Sequence, residues 1–344
     1  MKHANVAVFV PHIGCPRQCS FCNQRAITGG AKAPSPEDVR AAAETAARDL
    51  GDRAGGAEIA FFGGSFTAVP REYMLSLLEI AEKSVKDFGF AGIRCSTRPD
   101  AVDGEVLQLL RDYGVTAVEL GAQSMDDEVL AANRRGHTAA QTVLASRLVR
   151  EAGLELGLQM MTGLFRDTEE KTLETAEKLI ACRPATVRVY PAVVLRGTEL
   201  ALKYERGEYR PQTLEEAVGL CARLLRRFEA AGVKVIRMGL HAERDVEEQK
   251  LAGPYHPAFR ELVQSRVFLE RLLPQLQRRG PGAYAIRVAP QSVSEAVGQK
   301  RGNVEALRRA GFQAVFVQDP SVPRGQFRIG QQRGPEDSSR KGFA

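Results

Sequence analysis

The sequence predicts an α/β chain: a partial (β/α)6 barrel over residues 1–240, a small α/β module over 241–323 and a mobile tail over 324–344. Three observations lead there. Short β-rich runs alternate with amphipathic helical stretches at intervals of about 30 residues, the pattern of a parallel sheet with right-handed crossovers. Polar and charged residues gather where those runs end, and strand ends are where barrels build their sites. Residues 1–240 hold equal numbers of basic and acidic side chains, so the whole formal charge of +6 falls in residues 241–344.

The strand runs are VAVFV (6–10), EIAFF (58–62), GIRCST (92–97), VTAVELG (115–121), LELGLQMM (154–161) and TVRVYP (186–191). A seventh, VKVIRM (233–238), is a strand whose place in the main sheet the pattern leaves open. Helices with apolar residues three and four apart fill 36–50, 70–87, 103–112, 138–152, 168–182 and 213–231. Ser35, Pro36 and Glu37 open the first, Asp103 caps the third, and Gly114, Gly153 and Gly232 close three of them. Six repeats instead of eight predict a barrel that does not close.

At 344 residues with 44% hydrophobic side chains, the chain can bury one large core and a smaller one. No basic start followed by an apolar stretch marks a signal peptide. No apolar run approaches the roughly 20 residues that a membrane helix needs, so no membrane partner is expected. Of the six cysteines, three share one loop, while Cys95, Cys182 and Cys221 are scattered. That is not a disulfide framework, and free thiols point to the cytoplasm.

The shared loop, GCPRQCSFCNQ, follows the first strand and spaces Cys15, Cys19 and Cys22 as C-x3-C-x2-C. Cysteine thiolates are the ligands of iron–sulfur clusters. Gly14 and Pro16 suit a sharp turn, and Phe21 can shield the centre from water. Three ligands leave one iron of a [4Fe–4S] cube open, as catalytic metal sites require. The competing reading is zinc completed by His12 or a distant cysteine. Zinc loops usually pair C-x2-C units in two places, and no second pair exists here, so the cluster is preferred.

The other strand ends carry their own polar strings. Gly63, Gly64 and Ser65 form FFGGSFT after the second strand, where bare backbone can approach a ligand closely. Arg98 in STRPD is a fixed cation suited to a carboxylate, or a turn partner of Asp100. Glu119 and Gln123 share one face of the fourth strand; NRRGHT adds Asn133, Arg134 and His137; the fifth strand gives Gln159 in QMMTGL; Arg188 and Tyr190 lie in the sixth, before LRGTEL.

The cysteine loop resembles the signature of radical S-adenosylmethionine (SAM) enzymes. With GGSFT, TRPD, VELGAQS, NRRGHT, QMMTGL and VYPAVVLRGTEL in this order, residues 5–240 resemble the radical SAM domain of the Elongator catalytic subunit. The resemblance implies that Cys15, Cys19 and Cys22 hold a [4Fe–4S] cluster whose open iron chelates SAM. It implies reductive cleavage to a 5′-deoxyadenosyl radical, a low-potential electron donor of flavodoxin or ferredoxin type, and modification of tRNA. Gly63, Gly64, Ser65, Arg98, Gln123, Gln159 and Arg188 are then the SAM-pocket residues. Ser65 stands where the family often has a glutamate. The chain is too short for the family's acetyltransferase domain, and it begins almost on the first strand, without the family's RNA-binding extension. The full family chemistry is therefore not expected of it.

In the basic module, a helix from Pro257 to Arg279 precedes a strand–helix–turn–helix–strand pattern over 285–319. The string VGQKRGNV resembles the G-x-x-G loop of type II KH domains, which clamps a nucleic-acid backbone. Gly298, Lys300, Arg301 and Gly302 are the RNA-binding residues this implies, although Arg301 stands where the second glycine belongs. An RNA partner, tRNA by the resemblance, is weighed against a small α/β cap on the barrel. A radical SAM enzyme for a small molecule or protein, and a non-catalytic cluster protein that binds RNA, are the rivals. The tail from 324 onward is polar and glycine-rich and is expected to be mobile.

Overall fold

The computed structural model describes residues 4–10, 13, 15, 19–23, 33–240 and 244–331. His12, Gly14 and Pro16 lie outside the described residues. By contacts the chain divides into two units, one of 1–217 with 227–256 and one of 218–226 with 257–344.

In the first unit, β1 (Ala4–Val10) leads to α1 (Pro36–Leu50), β2 (Ala57–Gly63), α2 (Arg71–Phe88) and β3 (Gly92–Thr97). The order continues with α3 (Gly104–Asp112), β4 (Val115–Gln123), α4 (Asp127–Ala132), α5 (Ala139–Glu151), β5 (Glu155–Thr162), α6 (Glu169–Ala181) and β6 (Thr186–Pro191). After the short β7 (Val194–Leu195) come α7 (Glu199–Glu205), α8 (Leu214–Ala230) and β8 (Lys234–Met238). The sheet order is β1-β2-β3-β4-β5-β6-β8, all parallel and curled into a half-barrel. The seventh run therefore belongs to the main sheet, paired with β6 through Val187 and Val235.

Burial follows position in the sheet. In β2 residues Ala57 to Phe61 are all buried, as expected of a strand covered on both faces. The edge strand β1 instead alternates, with Val6, Val8 and Val10 inside. Side-chain caps start the helices where the sequence places them. Ser35 with Asp38, Thr138 with Gln141 and Thr213 with Glu216 form reciprocal capping boxes, and Asp103 accepts from the Val106 N–H.

A buried ionic layer crosses this sheet. Arg94 on β3 donates to Glu58 on β2 at 2.7 Å and to Glu119 on β4 at 3.2 Å. Arg188 on β6 grips the same Glu119 with two nitrogens. Such a layer adds little net stability over apolar packing, but breaking one partner is costly, about 3–5 kcal/mol. Its effect is to fix where four strands stand. Gly157 on β5 makes room for it: a Cβ there would come within 2.7 Å of the Glu119 Cγ.

The second unit follows α9 (Arg244–Gln249) and β9 (Lys250–Ala252), whose strand pairs with β7. It contains α10 (Phe259–Gln277), β10 (Gly282–Val288), α11 (Val293–Val297), α12 (Gly302–Arg309), β11 (Phe312–Gln318) and β12 (Phe327–Gln331). Strand β10 is central, parallel to β11 and antiparallel to β12. Phe268, Leu272 and Leu276 of α10 pack with Tyr284, Ile286, Val288, Leu307 and Phe312. The tail expected to be mobile from residue 324 is corrected here. Phe327 and Ile329, two apart and so on one face of β12, pack against that core and hold the strand in the sheet. Residues 332–344 lie outside the described ones.

A Gly157→Ala variant should lose about 1–3 kcal/mol of unfolding free energy in urea, because the added methyl must displace Glu119 from its two arginines. An unchanged denaturation midpoint would show that Glu119 is free to move and that the layer does not set strand positions.

Candidate metal-cluster site at the strand ends

Ser20, between the second and third cysteines, is held at three points. Its N–H donates to the Asn133 carbonyl at 3.2 Å, its hydroxyl to Asn133 Oδ1 at 2.8 Å, and its carbonyl accepts from the Leu200 N–H at 2.8 Å. Asn133 is fully buried, and its amide donates to the carbonyls of Val129 and Phe165. The Cys22 N–H turns back to the Cys19 carbonyl, and Asn23 donates to the Arg196 carbonyl at 2.7 Å. The loop is thereby tied to both NRRGHT and LRGTEL.

The second strand end lies against the first. The Gly64 N–H donates to the Val10 carbonyl at 2.7 Å, and Gly63, at φ 105°, leaves no space for a Cβ, which would stand 2.7 Å from that oxygen. The Ser65 N–H is within hydrogen-bonding reach of the Cys15 sulfur. The Ser65 hydroxyl bonds Thr97 at 2.8 Å and accepts from the Arg98 N–H at 3.1 Å. Thr97 also meets Thr67, so three hydroxyls join the ends of β2 and β3.

The thiols have a cationic setting. Burial pushes the Cys15 thiol up, an effect opposed by the Ser65 N–H and by Arg98 and Arg135, while Cys19 adds to it. Arg98 is buried and forked onto Asp100 at 2.9 and 2.8 Å, the turn pairing that its sequence context allowed. Arg135 is buried too; its Nη1 donates to Cys19 Sγ at 3.1 Å and its Nη2 to the Gly121 carbonyl at 2.6 Å. Among the described residues its Nε has no hydrogen-bond partner.

Gln123 ends β4 at φ 65° and accepts from Gln159 Nε2 at 3.2 Å. Gly63, Gly64, Ser65 and Arg98 thus stand at the ends of β2 and β3 and Gln123 at that of β4, while Gln159 lies inside β5, three residues before its end. Arg188 is elsewhere, in the ionic layer with Glu119, its guanidinium 4.9 Å over the Phe62 ring. Arg134 is exposed and paired with Glu199 at 2.9 Å. His137 is buried, bonded through Nε2 to the Ala122 carbonyl, with its Nδ1 unpartnered.

In the second unit, Gly298 (φ 76°) ends α11, and Lys300 and Arg301 follow with φ of 51° and 63°. Two successive non-glycine residues in the left-handed region store strain that only a well-anchored turn tolerates. Asn303 supplies the anchor: buried, it donates to the carbonyls of Ser265, Glu295 and Ala296 and packs against Gly298, where a Cβ would lie 2.9 Å from its N. Lys300, Arg301 and Gly302 are exposed.

Among the described residues no three His, Cys, Asp or Glu side chains gather around one metal ion. A cubane does not ask for that, since each thiolate binds its own iron. The residues present fit such a cluster: three thiols on one pinned loop, donors from Ser65 and Arg135 directed at two of them, and one arginine donor left over.

Sequence reasoning alone does not single out Arg135, Thr67, Thr97 or the interior partners Glu58 and Arg94. For Glu58 and Arg94 a signal exists, namely charges inside otherwise apolar strands. For Arg135 there is none, because a loop has no periodicity to say which of two adjacent arginines turns inward.

A parallel half-barrel with polar side chains gathered at the ends of its strands is the architecture of a strand-end barrel enzyme. Two family models match side by side, the radical SAM superfamily over residues 9–179 and the radical SAM C-terminal domain over residues 184–268. The chain belongs to the radical SAM superfamily. Human Elongator complex protein 3 is 29% identical over 245 residues, 64% of this chain and 43% of that protein. The tRNA uridine(34) acetyltransferase of Methanocaldococcus jannaschii is 30% identical over 181 residues, 47% of this chain and 34% of that protein. The enzyme of the same name from Dehalococcoides mccartyi is 28% identical over 251 residues, 63% of this chain and 54% of that protein. The chain thus spans about a third to a half of these relatives. A solved structure of archaeal Methanocaldococcus infernus Elp3 with an N-terminal deletion shares the fold, with a TM-score of 0.60, 23% identity, and coverage of 80% of this chain and 63% of that one.

Burial, reinforced by the Arg135 charge, lowers the His137 pKa to about 4 from 6.5. Folding therefore disfavours its protonated form, so its contribution to stability is complete above pH 6.5 and falls away toward pH 4, by at most about 3 kcal/mol. Asp167, raised to about 6, works in the opposite direction over an overlapping range. Urea unfolding against pH should show wild type losing stability relative to His137→Gln between pH 6.5 and 4. Parallel profiles would mean that His137 is not held neutral.

Proposed function

We propose that this chain holds a [4Fe–4S] cluster on Cys15, Cys19 and Cys22, binds SAM at the open iron and acts as a radical SAM transferase in tRNA modification. The observation that carries the reading is the pinned loop, which sets Cys15 against the Ser65 N–H and Cys19 against Arg135. When bound, such a cluster supplies the electron that splits SAM into methionine and a 5′-deoxyadenosyl radical. The chain's own residues do the rest. Ser20 and Asn133 fix the loop, and Phe21, packed beside Val129, Leu164 and Ala192, keeps water from it. The Gln123–Gln159 amides offer donors and acceptors for the polar methionine end of SAM, and the Gly63–Gly64 backbone, without side chains, lets it approach closely.

The electron is supplied by a low-potential donor of flavodoxin or ferredoxin type, a cytoplasmic setting. No helix among the described residues is long and apolar enough to cross a membrane. The RNA reading draws on the tRNA-modifying relatives and on the second unit, whose strained turn presents Lys300 and Arg301 to solvent in the basic part of the chain. Phosphates are the chemistry such a turn takes.

Two measurements test the two halves. Anaerobically reconstituted protein with dithionite and SAM should release 5′-deoxyadenosine, and Cys15→Ala, Cys19→Ala or Cys22→Ala should each abolish it; product from all three variants would refute the cluster assignment. Lys300→Glu with Arg301→Glu should weaken tRNA binding and flatten its salt dependence by about 0.7 in log–log slope for each phosphate released from the turn, with iron content unchanged. Equal tRNA affinity at low salt would make the second unit a structural module and favour a small-molecule or protein substrate.

A further inference from the structure

Arg134 and Arg135 are neighbours with opposite fates. Arg134 has a side chain 64% exposed and a carboxylate partner in Glu199. Arg135 is only 7% exposed, and among the described residues no carboxylate forms an ion pair with it. A buried guanidinium without a counter-ion is strongly unfavourable unless an anion completes its surroundings. The group at hand is sulfur: Cys19 accepts from Nη1 at 3.1 Å, and a cysteine that ligates iron does so as its thiolate, which would supply the anion.

The rest of the residue is held without being neutralised. Nη2 is spent on the Gly121 carbonyl, a neutral acceptor, at 2.6 Å. The Arg135 carbonyl accepts from Arg98 Nη2, while the Arg98 guanidinium is forked onto Asp100 and its N–H donates to Ser65 Oγ. The Asp100 charge is therefore taken up by Arg98, and the Arg135 charge is left for the sulfur. Its Nε–H, buried and unpartnered, is one more donor for the same anion.

We infer that Arg135 is the counter-ion of the cluster, a positioning residue that raises the cluster's reduction potential through its hydrogen bond to Cys19. The inference rests on the cluster reading above. Reduction adds one electron to the cluster, taking it from the 2+ to the 1+ state at the expense of an external donor. A cation donating to a ligand sulfur stabilises the more negative state, and hydrogen bonds to the sulfurs are among the levers that set such potentials. Without Arg135 the reduced state is harder to reach.

The test is a redox titration followed by EPR on reconstituted full-length wild type, Arg135→Lys and Arg135→Met, with iron and sulfide content and urea unfolding measured alongside. The Met variant should titrate at a more negative midpoint than wild type, with Lys, which keeps the charge but loses the fork, between them. A folded Met variant that fails to retain iron while Lys retains it also supports the inference, since it shows that the charge is required. Equal midpoints in all three proteins overturn it. So does loss of the fold in both variants, which would make Arg135 a purely structural group. If wild type itself takes up no iron, it is the parent reading that fails, a result distinct from either.

Discussion

The site depends on the contact between Ser20 and a buried asparagine from another part of the chain. Asn133 uses its carbonyl and side-chain oxygen on Ser20 and its amide on two further carbonyls, so every part of it is engaged. Removing it would leave several buried polar groups unsatisfied, each worth about 1–3 kcal/mol. With Ser20 held, Cys19 and Cys22 on either side have little freedom, and the Leu200 N–H holds the same residue from the LRGTEL side. A loop that must receive a cluster gains from being shaped beforehand, because the ordering is then complete before the ligand arrives.

Around that loop the charges are layered. Within the sheet, Glu58, Arg94, Glu119 and Arg188 satisfy one another. At the strand ends Arg98 is answered by Asp100, while Arg135, among the described residues, meets a sulfur and a carbonyl oxygen but no carboxylate. The contrast separates two uses of buried arginine: one fixes strand positions, the other leaves a cation to be balanced by whatever binds. The second unit repeats the logic of a pinned loop, with Asn303 beneath a turn of two left-handed residues whose cations face solvent.

Much of this is legible in the sequence, for identifiable reasons. Strand–helix alternation and the caps at Ser35 and Asp103 are local signals, and the elements follow them. The cysteine spacing marks the loop, and the strings GGSFT and QMMTGL mark strand ends that converge. What the sequence hides is tertiary. VKVIRM joins the main sheet because β6 offers it a partner, which no local pattern shows. FRIGQ becomes a strand because Phe327 and Ile329 find a core to cover, against a composition that reads as mobile. Arg188 and Arg98 are legible as barrel cations, but their carboxylate partners are set by packing.

The central claim is that three cysteines on a pinned loop hold a cube with one iron left for SAM. Mössbauer spectroscopy of protein reconstituted with isotopically enriched iron tests it most directly. The account predicts a [4Fe–4S] spectrum in which SAM alters the environment of one of the four irons and leaves the other three unchanged. A spectrum indifferent to SAM, or one showing isolated iron ions, would contradict it.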